Sequence, residues 1–440
     1  MKTTLAILAV GFLVAGCRAP LGDRNVAATT SSFRVELPAK PRPFPEPLAA
    51  GEQPGFKFRG AKGWAWTPQQ YLEEIPWLVK FKMNFLMNCY LSLFTAPAPW
   101  KNEWWKPLPD ETKAAWTHVI RACQTNGIHF CFCMNPQLAS RWPMDPTNAD
   151  DLDRLFQHYA WAQSQGVKWF SLCVDDVGWG KKGPVQTATA DAQMVNAILD
   201  RLRARDPETQ MIFCPRPYRG TGAKPDDHAY LQTLGQGLDP EVYVFWTGDA
   251  TVTPRITRSA AESYKMAVNH RLFVWDNYPV NDLQPTLHLG PVSGRAPDLC
   301  VAADGYMSNP MAPQNQANRL PLATCADYAF NPRAYDPARS IGQVVLLFGK
   351  TKAQRKTLQA LIESYPGFLV TGGGTSANPV RSKFKKLAAE SGPDAARRFL
   401  HQIETLAARL ERDFPAQFDD AKETVRADIQ WMQSQSLKRQ

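Results

Sequence analysis

From residue 56 onward the chain alternates two rhythms: short runs rich in β-branched and aromatic residues, and longer stretches whose apolar residues recur every three or four positions. The short runs cover residues 56–66, 84–90, 129–135, 169–176, 210–218, 242–248, 271–280 and, more weakly, 305–310, and they read as strands. Stretches between them, such as 151–165 and 191–205, carry the spacing of amphipathic helices. Eight strand candidates alternating with helices over roughly 290 residues predict an α/β fold, a parallel (β/α)8 barrel, over residues 55–340.

Beyond residue 341 the strand signals fade, and residues 341–440 are expected to form a helical accessory region. A helix over 344–365 is expected to lead into a loop at 372–379. Phe399, Ile403, Leu406, Leu410 and Phe414 then share one helical face, as do Phe418, Val425, Ile429 and Met432, with Pro415 as the break between them. On the other side of the barrel, residues 18–54 are polar and then proline-rich (Pro38, Pro41, Pro43, Pro45, Pro47), the composition of a semi-extended tether.

Lys2 precedes an apolar run, 5–15, that is too short to cross a bilayer as a mature helix and is flanked like a secretory signal. It ends in Leu13-Val14-Ala15-Gly16-Cys17, which resembles a bacterial lipobox. Residues 1–17 are therefore expected to be a lipoprotein-type signal, with Cys17 the lipidated residue that holds the protein at the cell envelope. No later stretch reaches about 18 uninterrupted apolar residues.

The 440 residues, 44% of them hydrophobic, suffice for a large core. Fifty Lys and Arg against 41 Asp and Glu give a charge of +9, but the cations are spread along the chain without dense runs, so no nucleic-acid partner is expected. Fourteen Trp and 22 Phe are ordinary for a protein that stacks rings on sugar faces. Eight cysteines follow Cys17, most of them inside apolar strand-like runs, which suits small buried hydrophobes and supports neither a zinc site nor a disulfide framework. The seven His are scattered and no HExxH, Walker A or GxSxG string occurs, so no metal or cofactor is expected. Gly178-Trp179-Gly180-Lys181-Lys182-Gly183 matches GxGxxG after a strand, but Pro184 and a helix expected only from about Thr187 make it a loop on the active face.

In a barrel of this type the chemistry lies at the C-terminal ends of the strands. There the fourth run ends in Val174-Asp175-Asp176, the fifth in Arg216-Pro217-Tyr218, the sixth in Trp246-Thr247-Gly248, the seventh in Trp275-Asp276-Asn277-Tyr278 with Asp282 beyond, and the eighth in Ser308-Asn309-Pro310. Adjacent carboxylates after an apolar strand are costly unless solvated, paired or used. With a phenol, amides and indoles on the same rim, the set describes a carbohydrate pocket.

These stretches, together with Leu289-Gly290-Pro291, Gly294-Arg295, Gly305-Tyr306-Met307-Ser308-Asn309-Pro310-Met311 and Ala326-Asp327-Tyr328-Ala329-Phe330-Asn331-Pro332, resemble glycoside hydrolase family 84, the O-GlcNAcases and hyaluronidase-type β-N-acetylglucosaminidases. The likeness is strong over 165–340 and weak over 56–165. It implies a retaining exo-β-N-acetylglucosaminidase acting on N-acetylglucosamine-containing glycans or glycoproteins, with the sugar's own 2-acetamido oxygen as nucleophile. It further implies that Asp175 orients and stabilises the acetamide while Asp176 protonates the leaving oxygen. By the same resemblance Tyr218 hydrogen-bonds the developing oxazoline, Asn277 sits beside the acetamide, Asp282 and Asn309 hold sugar hydroxyls, Trp275 walls the pocket, and Gly60 contributes from the first strand.

The chain departs from the family at its first two strands. A Gly-x-x-Glu-Gly-Phe-Tyr-Gly run is replaced by the shorter Gly60-Ala61-Lys62-Gly63-Trp64-Ala65-Trp66, and Leu91 stands where the family has a sugar-binding Lys. Lys62 reads as a solvated or loop-capping side chain, with the alternative that it reaches over as a substitute for that Lys. The departures leave two alternatives open beside the active hydrolase: a glycan-binding pseudoenzyme, and a glycosidase of another sugar specificity.

Overall fold

The computed structural model describes residues 33–94, 102–312 and 315–437. Eight parallel strands close into a barrel in sequence order, β1 Phe58–Gly63, β2 Phe85–Asn88, β3 His129–Met134, β4 Trp169–Cys173, β5 Gln210–Cys214, β6 Tyr243–Trp246, β7 Arg271–Pro279 and β8 Ala303–Asn309. Helices α1 Pro68–Lys80, α2 Asp110–Thr125, α3 Ala149–Ser164, α4 Gly183–Arg203, α5 Pro225–Gly237 and α6 Arg258–Val268 follow the first six strands, and α7 Arg319–Phe330 follows β8. A single 3-10 turn, Leu299–Val301, stands in the β7 to β8 connection.

Closure is carried by alternation. Phe58, Phe85, Trp169, Tyr243 and Phe273 point into one cluster inside the barrel, with Phe58 4.6 Å from the Trp169 ring and Phe85 4.8 Å from that of Phe273. The other inward positions of the cluster, on β2 to β8, are Met87, Cys131, Cys133, Cys173, Ile212, Cys214, Phe245, Trp275 and Met307. An aromatic plug thus fills one level of the barrel and small thiols fill another, which leaves room above them at the C-terminal rim.

The helical region is longer and more broken than the apolar spacing implies. The expected helix over 344–365 is two helices, α8 Pro337–Phe348 and α9 Lys352–Ser364, because Thr351 starts a new capping box with Gln354. After the short α10 Phe368–Thr371 comes α11 Pro379–Glu390, and then the two anticipated helices, α12 Pro393–Asp413 and α13 Asp419–Leu437. Likewise α4 begins at Gly183, not near Thr187, since Pro184 occupies a first-turn position where its missing N–H costs nothing. No helix among the described residues is long and apolar enough to cross a membrane.

The 18–54 tether requires correction over its described part. Residues from Val35 onward are strapped across the helices: Val35 N–H donates to Glu363 Oε1 at 3.0 Å, Arg42 N–H to Gln343 Oε1 at 3.1 Å, Glu46 N–H to Asp327 Oδ1 at 2.6 Å, and Asn331 Nδ2 to the Pro47 carbonyl at 2.8 Å. An extended proline-rich chain leaves its remaining N–H and C=O groups unpaired, and polar side chains on α7, α8 and α9 satisfy them. Strap, barrel and helices form one compact unit, Arg34–Gln440. The signal segment and Cys17 lie outside the described residues.

Candidate active site

The strand alternation that builds the core also builds the pocket. On β4 the inward positions are Trp169, Ser171 and Cys173, and the next in register is Asp175, 7% exposed. Asp176 would point away, but its backbone is left-handed at φ +59°, a conformation Asp tolerates better than most residues, and both carboxylates line one cleft. The cleft is also lined by Lys62, Trp64, Tyr90, Tyr218, Thr251, Trp275, Asn277, Asp282 and Asn309.

Asp175 is fixed at the floor. Tyr90 Oη donates to Oδ2 at 2.5 Å and Asn135 Nδ2 to Oδ1 at 3.0 Å, and a carboxylate oxygen that accepts one hydrogen bond retains a second lone pair. Burial first, then Cys173 and Asp176, push the Asp175 carboxyl up to about 7, against the opposing pull of Lys62 and Tyr90. Asp176 is exposed at the mouth, where Tyr218 Oη donates to its Oδ1 at 2.7 Å and also lies 3.1 Å from Thr251 Oγ1. Burial and the Asp176 charge hold the Tyr218 phenol protonated.

Asn277 Nδ2 donates to the Thr251 carbonyl at 2.6 Å, and Asn309 Nδ2 to Asn277 Oδ1 at 2.8 Å, so the two amides are locked in one orientation. That leaves Asn309 Oδ1 and Trp275 Nε1 buried without a protein partner. An acceptor and a donor left unsatisfied in a cleft are groups that a polar ligand completes.

Of the residues read from sequence, the structure brings Asp175, Asp176, Tyr218, Trp275, Asn277, Asp282 and Asn309 to one cleft. Gly60 is not among its lining residues. It sits within β1, where a Cβ would meet the Phe85 carbonyl oxygen at 1.8 Å, so glycine is required there by strand packing. Lys62 departs from the solvated or loop-capping reading: it is 1% exposed, and its Nζ lies 4.1 Å from the Trp275 ring centroid within the cleft. Leu91 is buried in the barrel core. Missing from the sequence reading are Tyr90 and Asn135, which hold Asp175, and Thr251.

Other quoted motif residues are structural. Arg295 and Asp276, both 1% exposed at the side chain, pair through Nε to Oδ2 at 2.8 Å and Nη2 to Oδ1 at 2.6 Å, and Arg216 pairs with Asp191 at 2.9 Å. Among the described residues Cys173, Asp175 and Cys214 bring two thiols and a carboxylate within 4.8 Å of one another. Burial pushes the Cys214 thiol up, as it does Cys133, whereas at Cys173 burial is outweighed by the hydrogen bonds of Cys133, Cys214 and Ser171, which bring that thiol down.

The family model for beta-N-acetylglucosaminidase matches residues 60–363. The chain belongs to this family, glycoside hydrolase family 84. It is 26% identical over 331 residues to the protein O-GlcNAcase of Rattus norvegicus, a match covering 70% of this chain and 34% of the relative. With protein O-GlcNAcase of Mus musculus it shares 27% identity over 280 residues, covering 61% of this chain and 29% of the relative. The chain therefore spans about a third of the length of these relatives. A mutant of the Thermobaculum terrenum O-GlcNAc hydrolase superposes with a TM-score of 0.69 at 22% identity, covering 87% of this chain and 82% of that one. The structure of CpGH84B superposes with a TM-score of 0.67 at 18% identity, covering 88% and 68%. These structural likenesses speak for the barrel fold.

Proposed function

We propose that this family 84 chain is a retaining exo-β-N-acetylglucosaminidase in which the substrate supplies the nucleophile. The observation that carries the reading is the division between two adjacent carboxylates: Asp175 buried and held by Tyr90 and Asn135, Asp176 exposed at the mouth beside Tyr218. A 2-acetamido group reaching the floor meets a fixed carboxylate that can accept its N–H and offset the positive charge formed as its carbonyl oxygen attacks the anomeric carbon. The leaving oxygen departs toward the mouth, where Asp176 delivers a proton and later takes one from water. Tyr218, as a protonated phenol, orients Asp176 and can turn its hydrogen bond to the developing oxazoline.

Asn277, Asn309 and Asp282 offer hydrogen bonds to the sugar, and Trp275 a ring wall. We further propose that N-acetylglucosamine-containing glycans or glycoproteins are the substrates, and that a lipid on Cys17 anchors the protein at the cell envelope. Retention of a Cys17→Ser variant in carbonate-washed membranes at the wild-type level would refute the anchor.

A panel of aryl β-glycosides tests the hydrolase. Cleavage of 2-acetamido glucosides with β-glucosides left intact is expected, because the glucoside lacks the nucleophile. Comparable rates on both would identify a protein nucleophile and overturn the mechanism; binding of the 2-acetamido sugar without turnover would establish the pseudoenzyme.

A further inference from the structure

Lys62 is a buried ammonium without a carboxylate partner. It is 1% exposed, and no acidic oxygen lies within 4.0 Å of its Nζ among the described residues. Three aromatic faces surround it instead, those of Trp64 at 4.7 Å, Tyr90 at 4.6 Å and Trp275 at 4.1 Å from Nζ to the ring centroid. Cation–π contact offsets part of the lost hydration, but a full positive charge stays inside a low-dielectric wall. Tyr90 links that charge to the floor: its ring carries the ammonium and its hydroxyl donates to Asp175 at 2.5 Å.

The groups that face Asp175 are otherwise anionic or neutral. Cys173 and Asp176 lie on its own segment, Cys214 and Tyr218 come from β5 and the loop beyond, Tyr90 follows β2, and the neutral Asn135 follows β3. Lys62, on β1, is the one Lys or Arg among the described residues lining the cleft. We propose that Lys62 is a positioning residue for the charge state of Asp175, its caged ammonium acting through Tyr90 and across the cleft to keep that carboxylate ionised.

Geometry and electrostatics agree in sign. Burial, Cys173 and Asp176 favour the protonated carboxyl, while Lys62 and the Tyr90 hydrogen bond favour the carboxylate, and the balance falls at about 7. Removing an opposite charge that favours a carboxylate raises its pKa, by about one unit or more where the two groups lie within about 4–6 Å. The inference rests on the hydrolase reading only for its effect on turnover, where Asp175 must be ionised to hold the acetamide.

The test is the titration of Asp175 itself, followed by carboxyl-carbon NMR on protein labelled at aspartate, with the resonance assigned by its loss in Asp175→Asn. Lys62→Met is expected to move the midpoint to higher pH by about one unit or more, and Lys62→Arg, which keeps the charge, to hold it within a few tenths. The acid limb of kcat/KM is expected to move with the midpoint. Lys62→Gln serves as the neutral variant if Lys62→Met does not fold. An unmoved midpoint in the folded neutral variant overturns the proposal, since a merely structural lysine would lower the rate at every pH and leave the titration in place. A protein that hydrolyses no 2-acetamido glycoside but shows the shifted midpoint refutes the hydrolase reading and leaves this inference standing.

Discussion

The Thr375 hydroxyl, in the loop between α10 and α11, donates to Asp282 Oδ2 at 2.6 Å. The helical region therefore reaches the rim of the cleft and fixes one of its carboxylates, in a backbone that is itself left-handed at φ +47°. His288 Nε2 reinforces the loop by donating to the Thr375 carbonyl at 2.7 Å. Burial pushes that imidazole down to about 4, so the ring stays neutral across the working range. Replacing Thr375 by Val frees Asp282 without touching Asp175 or Asp176. KM for a 2-acetamido aryl glycoside is expected to rise by about 2- to 10-fold with kcat little changed, as steady-state kinetics would measure.

The two aspartates are separable by leaving group. Asp176→Asn is expected to slow glycosides of poor leaving groups by roughly 10²- to 10⁴-fold and to spare those of very acidic phenols in the bond-breaking step. Asp175→Asn should slow both by similar factors, because in the proposed mechanism the charge on the acetamide develops whatever departs. A leaving-group dependence in Asp175→Asn alone would reverse the assignment.

Asp175 also makes a stability prediction whose sign is fixed by its burial. Its folded pKa of about 7 lies above the ordinary value of 3.8, so between these limits the folded state binds more protons than the unfolded one. Stability from this group is present at low pH and is lost as pH rises through about 7. Asp175→Asn removes the buried charge, and its melting temperature relative to wild type is expected to be higher at pH 8 than at pH 5, by a difference corresponding to about 1–3 kcal/mol. Scanning fluorimetry at the two pH values would check it; an equal difference at both would contradict the assignment.

Tyr90→Phe withdraws a hydrogen bond that favours the carboxylate and leaves the ring that carries Lys62. The acid limb of kcat/KM is expected to shift to higher pH, with roughly tenfold loss of rate near neutrality. A pH profile on one aryl 2-acetamido glycoside would show it.

Outside the cleft, the Asp276–Arg295 pair ties the outward side of β7 to the segment ahead of β8, and Tyr306 also donates to Asp276. Asp276→Ala strands a buried guanidinium, and denaturant unfolding is expected to show a loss of about 3–5 kcal/mol.

The barrel was legible because each strand and helix carries its own period, and local period is a property of sequence. The cleft was legible where inward alternation reaches the C-terminal part of a strand or runs on past its end: Trp275 to Asn277, Met307 to Asn309, Cys173 to Asp175. The same count from Phe58 through Gly60 reaches Lys62, so its inward position was available in the sequence; reading the side chain as solvated set its charge above its register. The strap was not available, since a solvated linker and a docked strand share the same proline-rich extended composition, and only acceptors such as Glu363 and Asp327 distinguish them.

What the sequence alone determined is which side chains stand at the ends of the strands, because alternation along a chain needs no knowledge of its neighbours. Barrel closure decided which of them meet. Tyr90 lies 85 residues from Asp175 and Asn135 lies 40 away, and no local pattern links them. The charge state of Asp175 is tertiary for the same reason: it balances burial against an ammonium from β1 and a phenol from the segment after β2, and desolvation exists only once the chain has folded around the group.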